Sequence, residues 1–288
     1  MAAILWASVA GATAQVSVEV LLDQEQFLRD ESLPVKVRIS NRSGQTLKLG
    51  QDAGWLTFSI QRRDGYVVPK LSEPSVVGEV TLDSAMALTK SWNLMPHFEL
   101  SQPGRYQVTA TIHIKQWNRE ETSESKEFEI IRGTKLWEQD FGVPVASGPP
   151  EVRKYMLQQA SFVKRLMLYV RVTDVAEHQV FRVLPVGYLL SFSRPEAQVD
   201  RLSRLHLLFQ YGPRAFQYLM ISPDGEILVR QTHDYTSTRP VLRSNKEGKI
   251  FVNGGMRRYT EEDIPSPSAA ASASATATTT NEVQTPKP

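Results

Sequence analysis

The stretch "ISPDGEILVRQTHDYTSTRPVLRSNKEGKIFVNGG", Ile221 to Gly255, admits two readings. His233 and Asp234 stand side by side with several Arg nearby, as in a catalytic pocket. Alternatively the stretch is a pair of hairpins. Aligning "ISPDGEILVR" with "SNKEGKIFVN" brings Gly225 onto Gly248 and the alternating pair Ile227/Val229 onto Ile250/Val252. Gly at the same point of both turns supplies a positive φ without steric cost. The alignment therefore predicts a repeated turn-and-strand. A closed propeller needs about sixteen strands, too many for this part of the chain, so a small sheet or partial blade-like meander is expected. In such a strand His233 and Asp234 point to opposite faces and do not pair as base and orienter. Gln231 and His233 then share the buried face with Val229, while Arg230, Thr232 and Asp234 face outward.

The same grammar extends on both sides. "LMLYVRVTD", "QVFRVLPVGYLLSF", "LHLLFQY" and "RAFQYLMI" read as strands joined by short turns. "SRPEAQVDRLSR" reads as a single helical turn or loop. "PPEVRKYMLQQASFVKRL" opens with Pro150 and Glu151, which suit a helix start, so a short leading helix is expected. Residues 151–263 thus form a β-meander domain. "GVPVASGPPE", Gly142–Glu151, has linker composition, and 133–150 is expected to connect two domains.

The preceding part, 15–132, reads as all-β. Val35, Val37 and Ile39 alternate, as do Leu56, Phe58 and Ile60, and Tyr106, Val108, Ala110 and Ile112. Asn41-Arg42-Ser43-Gly44, Asp64-Gly65 and Pro103-Gly104 supply the turns, and about seven short strands at regular intervals predict an antiparallel β-sandwich. On "VKVRISNRSGQTLKL", "FSIQRRDGYVV" and "LSQPGRYQVTATI" the segment 35–114 resembles bacterial immunoglobulin-like envelope domains and is similar to the sandwich of BsuPI-type proteinase inhibitors. The resemblance implies a fold and carries over no inhibitory residue. Asn41-Arg42-Ser43 also fits an N-glycosylation acceptor in a turn.

The ends have compositions of their own. "MAAILWASVAGATA", 1–14, is uncharged and closes on Ala12-Thr13-Ala14, a small-x-small pattern. It reads as a signal peptide cut before Gln15, with Ser8-Val9-Ala10 a second possible site. Export to a periplasmic or extracellular space follows. The Ser/Ala/Thr/Pro tail, 264–288, lacks the large apolar residues that offset chain entropy and is expected to be disordered. No segment is apolar for long enough to span a membrane as a helix.

Chemistry is sparsely written. The chain has no Cys, which excludes disulfides, thiol nucleophiles and Cys-ligated zinc. Its five His lie at 97, 113, 178, 206 and 233, with no H-E-x-x-H or His-x-His spacing, so no metal site is assigned. No nucleophile elbow or phosphate loop occurs; no catalytic residue and no cofactor is assigned. His206 is expected as a core or interface histidine. Residues 15–149 hold 15 Lys and Arg against 18 Asp and Glu, and residues 150–263 hold 17 against 12. The basic side chains are scattered and do not form the blocks that bind nucleic acid. Arg239, Arg243, Arg257 and Arg258, with Tyr218 and Tyr235, form the candidate binding set, suited to an envelope protein or glycan partner. The expected function is that of a non-catalytic binding or structural protein, with a proteinase inhibitor and a polysaccharide-acting enzyme as alternatives.

Overall fold

The alternation at Val35, Val37 and Ile39 sets these side chains on one face of strand Pro34–Asn41, where all three are buried. The computed structural model describes residues 15–76, 78–144 and 148–265, and the chain divides between Ile131 and Arg132 into two compact units. The segment expected as a signal peptide lies outside the described residues, as does the tail beyond Pro265. Ile264, expected at the start of the tail, instead exchanges backbone hydrogen bonds with Arg230.

Among the described residues the first unit has ten strands: β1 (Val16–Leu21), β2 (Gln26–Leu28), β3 (Pro34–Asn41), β4 (Leu47–Leu49), β5 (Leu56–Arg62), β6 (Val80–Leu82), β7 (Ala87–Asn93), β8 (Gly104–Ile114), β9 (Arg119–Thr122) and β10 (Lys126–Ile131). One sheet has the order β1-β3-β7. The second has the order β2-β10-β8-β5, with β9 also on β8, and β4 pairs with β6. Strand β2 runs parallel to β10, whereas β8 is antiparallel to both β10 and β5. Val35, Val37 and Ile39 from one sheet share a core with Phe58, Ile60, Val108 and Ile112 from the other, which makes the unit a two-layer sandwich. At the start of β8 the buried Tyr106 donates its phenol hydrogen to the Gln102 carbonyl and stacks on Phe128. This is a tyrosine corner, a device that pins an arch to the sheet it crosses.

Asn41 is a correction to the sequence reading. Its side chain is fully buried, and Nδ2 donates to the carbonyls of Gln45 at 2.7 Å and Leu82 at 2.9 Å. Oδ1 accepts from the Ser43 amide. An amide with both hydrogens committed inside the fold is a structural tie between β3 and β6 and is not a glycosylation acceptor in the folded chain.

Among the described residues the second unit has eleven strands: β11 (Thr134–Val143), β12 (Glu151–Phe162), β13 (Arg165–Asp174), β14 (Val180–Leu189), β15 (Glu196–Val199), β16 (Leu205–Gln210), β17 (Ala215–Ile221), β18 (Ile227–Asp234), β19 (Val241–Ser244), β20 (Ile250–Asn253) and β21 (Met256–Arg258). They form a sheet β11-β12-β13-β14, a sheet β15-β16-β17-β18-β21 and the hairpin β19-β20. Tyr155, Leu157, Leu168 and Val170 of the first sheet pack against Leu205, Leu207, Phe209 and Leu219 of the second. The strands do run as meanders, β11 to β14 and β15 to β18, but where one small sheet or a partial blade was expected the unit has two packed sheets. The opposite face of the five-stranded sheet packs Leu208, Phe216 and Tyr218 against Leu242 and Ile250 of the hairpin. Covered on both sides, β16 has six buried residues out of six.

The leading helix is not formed. Residues 151–162 are strand β12, laddered on both sides by β11 and β13, and Tyr155 and Leu157 reach the core with a period of two. Pairing along the whole strand overrides the helical start signal at Pro150. Part of the expected linker, Thr134–Val143, is the partner strand β11. Of the helical turn or loop expected in "SRPEAQVDRLSR", no helical turn forms: the stretch holds β15 and a hairpin turn.

Gly225 and Gly248 do occupy equivalent turns, with φ of 80° and 79°. In one, Ser222 N–H donates to Glu226 and Gly225 N–H to Ser222. In the other, Asn245 N–H donates to Lys249 and Gly248 N–H to Asn245. Ser222 Oγ and Asn245 Oδ1 each accept the amide four residues on. A third copy joins β15 to β16, with Asp200 at the first position and Ser203 at the positive φ. Among the described residues no helix is long and apolar enough to cross a membrane.

Candidate functional site

On the hairpin side of the five-stranded sheet, antiparallel pairing lays side chains out as a grid. His206 of β16 sits opposite Met220 of β17, which sits opposite Val229 of β18. In the next row Leu208, Tyr218 and Gln231 align. One row further, Phe216 faces His233, which faces Arg257 of β21. His206 and Tyr218 are thus diagonal neighbours, close enough for long side chains to meet. Hairpin β19-β20 stands over part of this grid. Between them lies a cavity of about 550 Å³ lined by the two histidines, Tyr218, Gln231 and apolar side chains that include Met220, Val229, Ile250 and Val252.

One wall is a buried hydrogen-bonded chain. His206 Nδ1 and Tyr218 Oη are 2.8 Å apart, and His206 Nε2 and Asp200 Oδ2 are 3.1 Å apart. The same Asp200 oxygen receives Arg204 Nε at 2.8 Å and Nη2 at 2.7 Å. Asp200 is held by its own turn, since Oδ1 accepts the Leu202 and Arg204 amides at 2.9 Å each. Burial pushes the Asp200 carboxyl up, but hydrogen bonds from Arg204 and His206 outweigh it and hold the group below the usual carboxylate range. Burial pushes His206 down further than the Asp200 carboxylate pulls it up. A neutral His206 donates from Nε2 to Asp200 and accepts the Tyr218 hydrogen at Nδ1. Burial pushes the Tyr218 phenol up to about 12, so it stays protonated at neutral pH. The chain orients donors and acceptors; it does not generate a phenolate nucleophile.

His233 completes the polar lining. Its ring meets Tyr218 edge-on at 6.5 Å, and its buried Nε2 has no hydrogen-bond partner among the described residues. Burial lowers its pKa, with the Arg257 charge acting in the same direction. Val229, Gln231 and His233 share a face as the alternation requires, but Thr232 on the other face is also buried, because this sheet has no open side there.

Of the six residues singled out from sequence, Tyr218 lines the cavity. Arg257 donates Nη2 to the buried Asp263 at 2.7 Å, and Arg258 pairs with Asp234 at 2.9 Å and bonds Tyr211. Arg239 lies over the Phe216 ring, Arg243 is exposed on β19, and the exposed Tyr235 packs against the Arg214 guanidinium. The structure brings together instead Asp200, Arg201, Arg204, His206, His233 and Lys249. One signal for this was in the sequence, a lone His inside the uncharged run "LHLLFQ". Among the described residues no three His, Asp or Glu side chains gather in a way that could hold a metal ion.

No family model matches the chain, and no curated protein matches it. Among solved structures it is similar to the sporulation control protein Spo0M of Bacillus subtilis, at 9% identity over 60% of this chain and 90% of that one, with a TM-score of 0.30. A likeness of that size carries no inference about function.

Proposed function

We propose that the protein is an exported, non-catalytic binding protein, with an immunoglobulin-like first unit and a second unit that holds a small ligand in the cavity beneath hairpin β19-β20. The observation that carries the binding reading is the cavity itself. Its volume of about 550 Å³ falls in the range of small-molecule sites, and an apolar lining surrounds a few convergent polar groups. One of those groups, His233 Nε2, is buried without a hydrogen-bond partner among the described residues. Against catalysis stand the protonated phenol of Tyr218 and a carboxylate, Asp200, already committed to Arg204 and His206.

The immunoglobulin-like reading is supported by the sheet orders β1-β3-β7 and β5-β8-β10 and by the tyrosine corner on β8. Export is supported by the small-x-small motif at Ala12–Ala14. Strand β1 starts at Val16, so cleavage before Gln15 leaves its ladder with β3 whole.

The test is a ligand-observed NMR screen of the full chain against a small-molecule library, run beside Val229→Trp, which narrows the cavity. Compounds that bind wild type and lose binding in the variant are expected. A screen in which no compound distinguishes the two removes the cavity reading. N-terminal sequencing of the protein from its native source is expected to begin at Gln15; an intact Met1 removes export by this signal.

A further inference from the structure

We infer that the cavity selects an anionic amphiphile, a small apolar body bearing one carboxylate or sulfonate, with the anion held at the mouth by Arg201 and Lys249. The inference rests on the binding reading above and adds the ligand's charge. Five charged side chains line the cavity: Asp200, Arg201, Arg204, Glu247 and Lys249. Asp200 and Arg204 neutralise each other at 2.7 Å. Of the remaining three, two are cations, so the mouth carries one net positive charge while His206 and His233 are neutral. Neither Arg201 nor Lys249 forms an ion pair with a described residue.

The two cations come from different hairpin turns that meet. Arg201 belongs to the turn between β15 and β16, and Lys249 ends the turn between β19 and β20. A Cβ built on Gly248 would stand 2.9 Å from Arg201 Nε, so the guanidinium lies directly on the second turn. Glycine there leaves room for that approach. Behind the mouth, Met220, Val229, Ile250 and Val252 offer an apolar bed, and Gln231 and His233 sit deeper on the grid. Exposed cations over an apolar bed match an amphiphile with a single anionic end.

The experiment uses two fluorescent probes of nearly the same shape, anilinonaphthalene sulfonate and the uncharged N-phenylnaphthylamine, titrated into the full chain. The expected result is saturable binding of both, tighter for the sulfonate, with only the sulfonate weakened by added salt. Arg201→Gln and Lys249→Gln should each weaken the sulfonate by about two- to fivefold, the range for exposed ion pairs, and leave the neutral probe unchanged. Val229→Trp should weaken both; Val252→Trp serves the same purpose should the first variant melt early. Displacement by dodecanoate or by 1-naphthoate separates an aliphatic from an aryl body. Equal affinity for the two probes, or a sulfonate affinity unmoved by both charge variants, overturns the anion selectivity and leaves the cavity reading standing. Failure of wild type to bind either probe overturns both.

Discussion

Acid should destabilise the second unit through His206 and His233, and the effect has a calculable slope. Burial is the leading cause of the lowered pKa at both rings, outweighing the Asp200 carboxylate beside His206. Around His206 stand Asp200, Arg204 and Tyr218; around His233 stand Arg257, Asp263, Asp234 and Tyr218. A histidine depressed in the folded state binds fewer protons there than in the unfolded chain. Its contribution is fully present above the unfolded value of about 6.5 and is lost as pH falls from there through the folded value. Each such ring contributes a limiting slope of about 1.4 kcal/mol per pH unit, and the pair about 2.7. Asp200, held low by its bonds to Arg204 and His206 against the opposing pull of burial, adds a loss in the same direction below about pH 4. Hydrogen exchange of the β16 and β17 amides between pH 7 and 5, corrected for intrinsic rates, reads this slope in the relevant sheet. His206→Gln and His233→Gln should each roughly halve it, and the double variant should flatten it. A double variant that still loses stability as steeply as wild type, or a wild type that gains stability on acidification, refutes the argument.

Three further outcomes follow from local geometry. Gly225→Ala should cost more than Gly248→Ala by about 1–3 kcal/mol in urea titrations. Both share the positive-φ cost, but the added Cβ meets Arg182 Cβ at 2.6 Å in one case and the yielding end of Arg201 in the other. Tyr106→Phe should lower the stability of the first unit by about 1 kcal/mol, the worth of the tyrosine-corner bond, with no change at the cavity. The two-residue turn between β12 and β13 holds Val163 and Lys164 at φ of 45° and 65°, where a β-branched residue is disfavoured. Val163→Asn with Lys164→Gly should raise the melting temperature, through a gain of about 1–2 kcal/mol.

The first unit was legible because its strands have one wet face: Val35, Val37 and Ile39 alternate with Lys36 and Arg38, and period two is visible to the eye. The second unit obscures this signal. Strand β16 is covered on both sides, so "LHLLFQ" has no alternation, and the sandwich partner of its sheet was not evident from it. Strand β12 carried a helix start signal at Pro150 that ladder formation on both edges overrode. The hairpin turns at Gly225 and Gly248 were readable because turn chemistry is local. The cavity was not, since His206, Tyr218 and Asp200 meet only through strand register and a diagonal contact. The Arg residues chosen from sequence are largely engaged within the fold, Arg257 with Asp263 and Arg258 with Asp234. Arg201 carries no sequence signal of its own, because a single exposed Arg in a turn looks like any other.

A strand covered on both faces also shapes the life of the chain before it folds. Leu205–Gln210 has no charge, proline or glycine, and it is strongly apolar, the makings of an adhesive β-segment between chains. Until both the four-stranded sheet and hairpin β19-β20 are in place, one or both of its faces remain open to another copy. Arg204 stands immediately before it with Asp200 and Arg201 in the same turn, and Pro213 and Arg214 follow in the next one. These residues act as gatekeepers, because stacking copies of the strand in register would bring like charges together at both ends. The turn that holds the Asp200 carboxylate toward His206 in the finished protein thus also sets charge beside an adhesive stretch of the unfinished one.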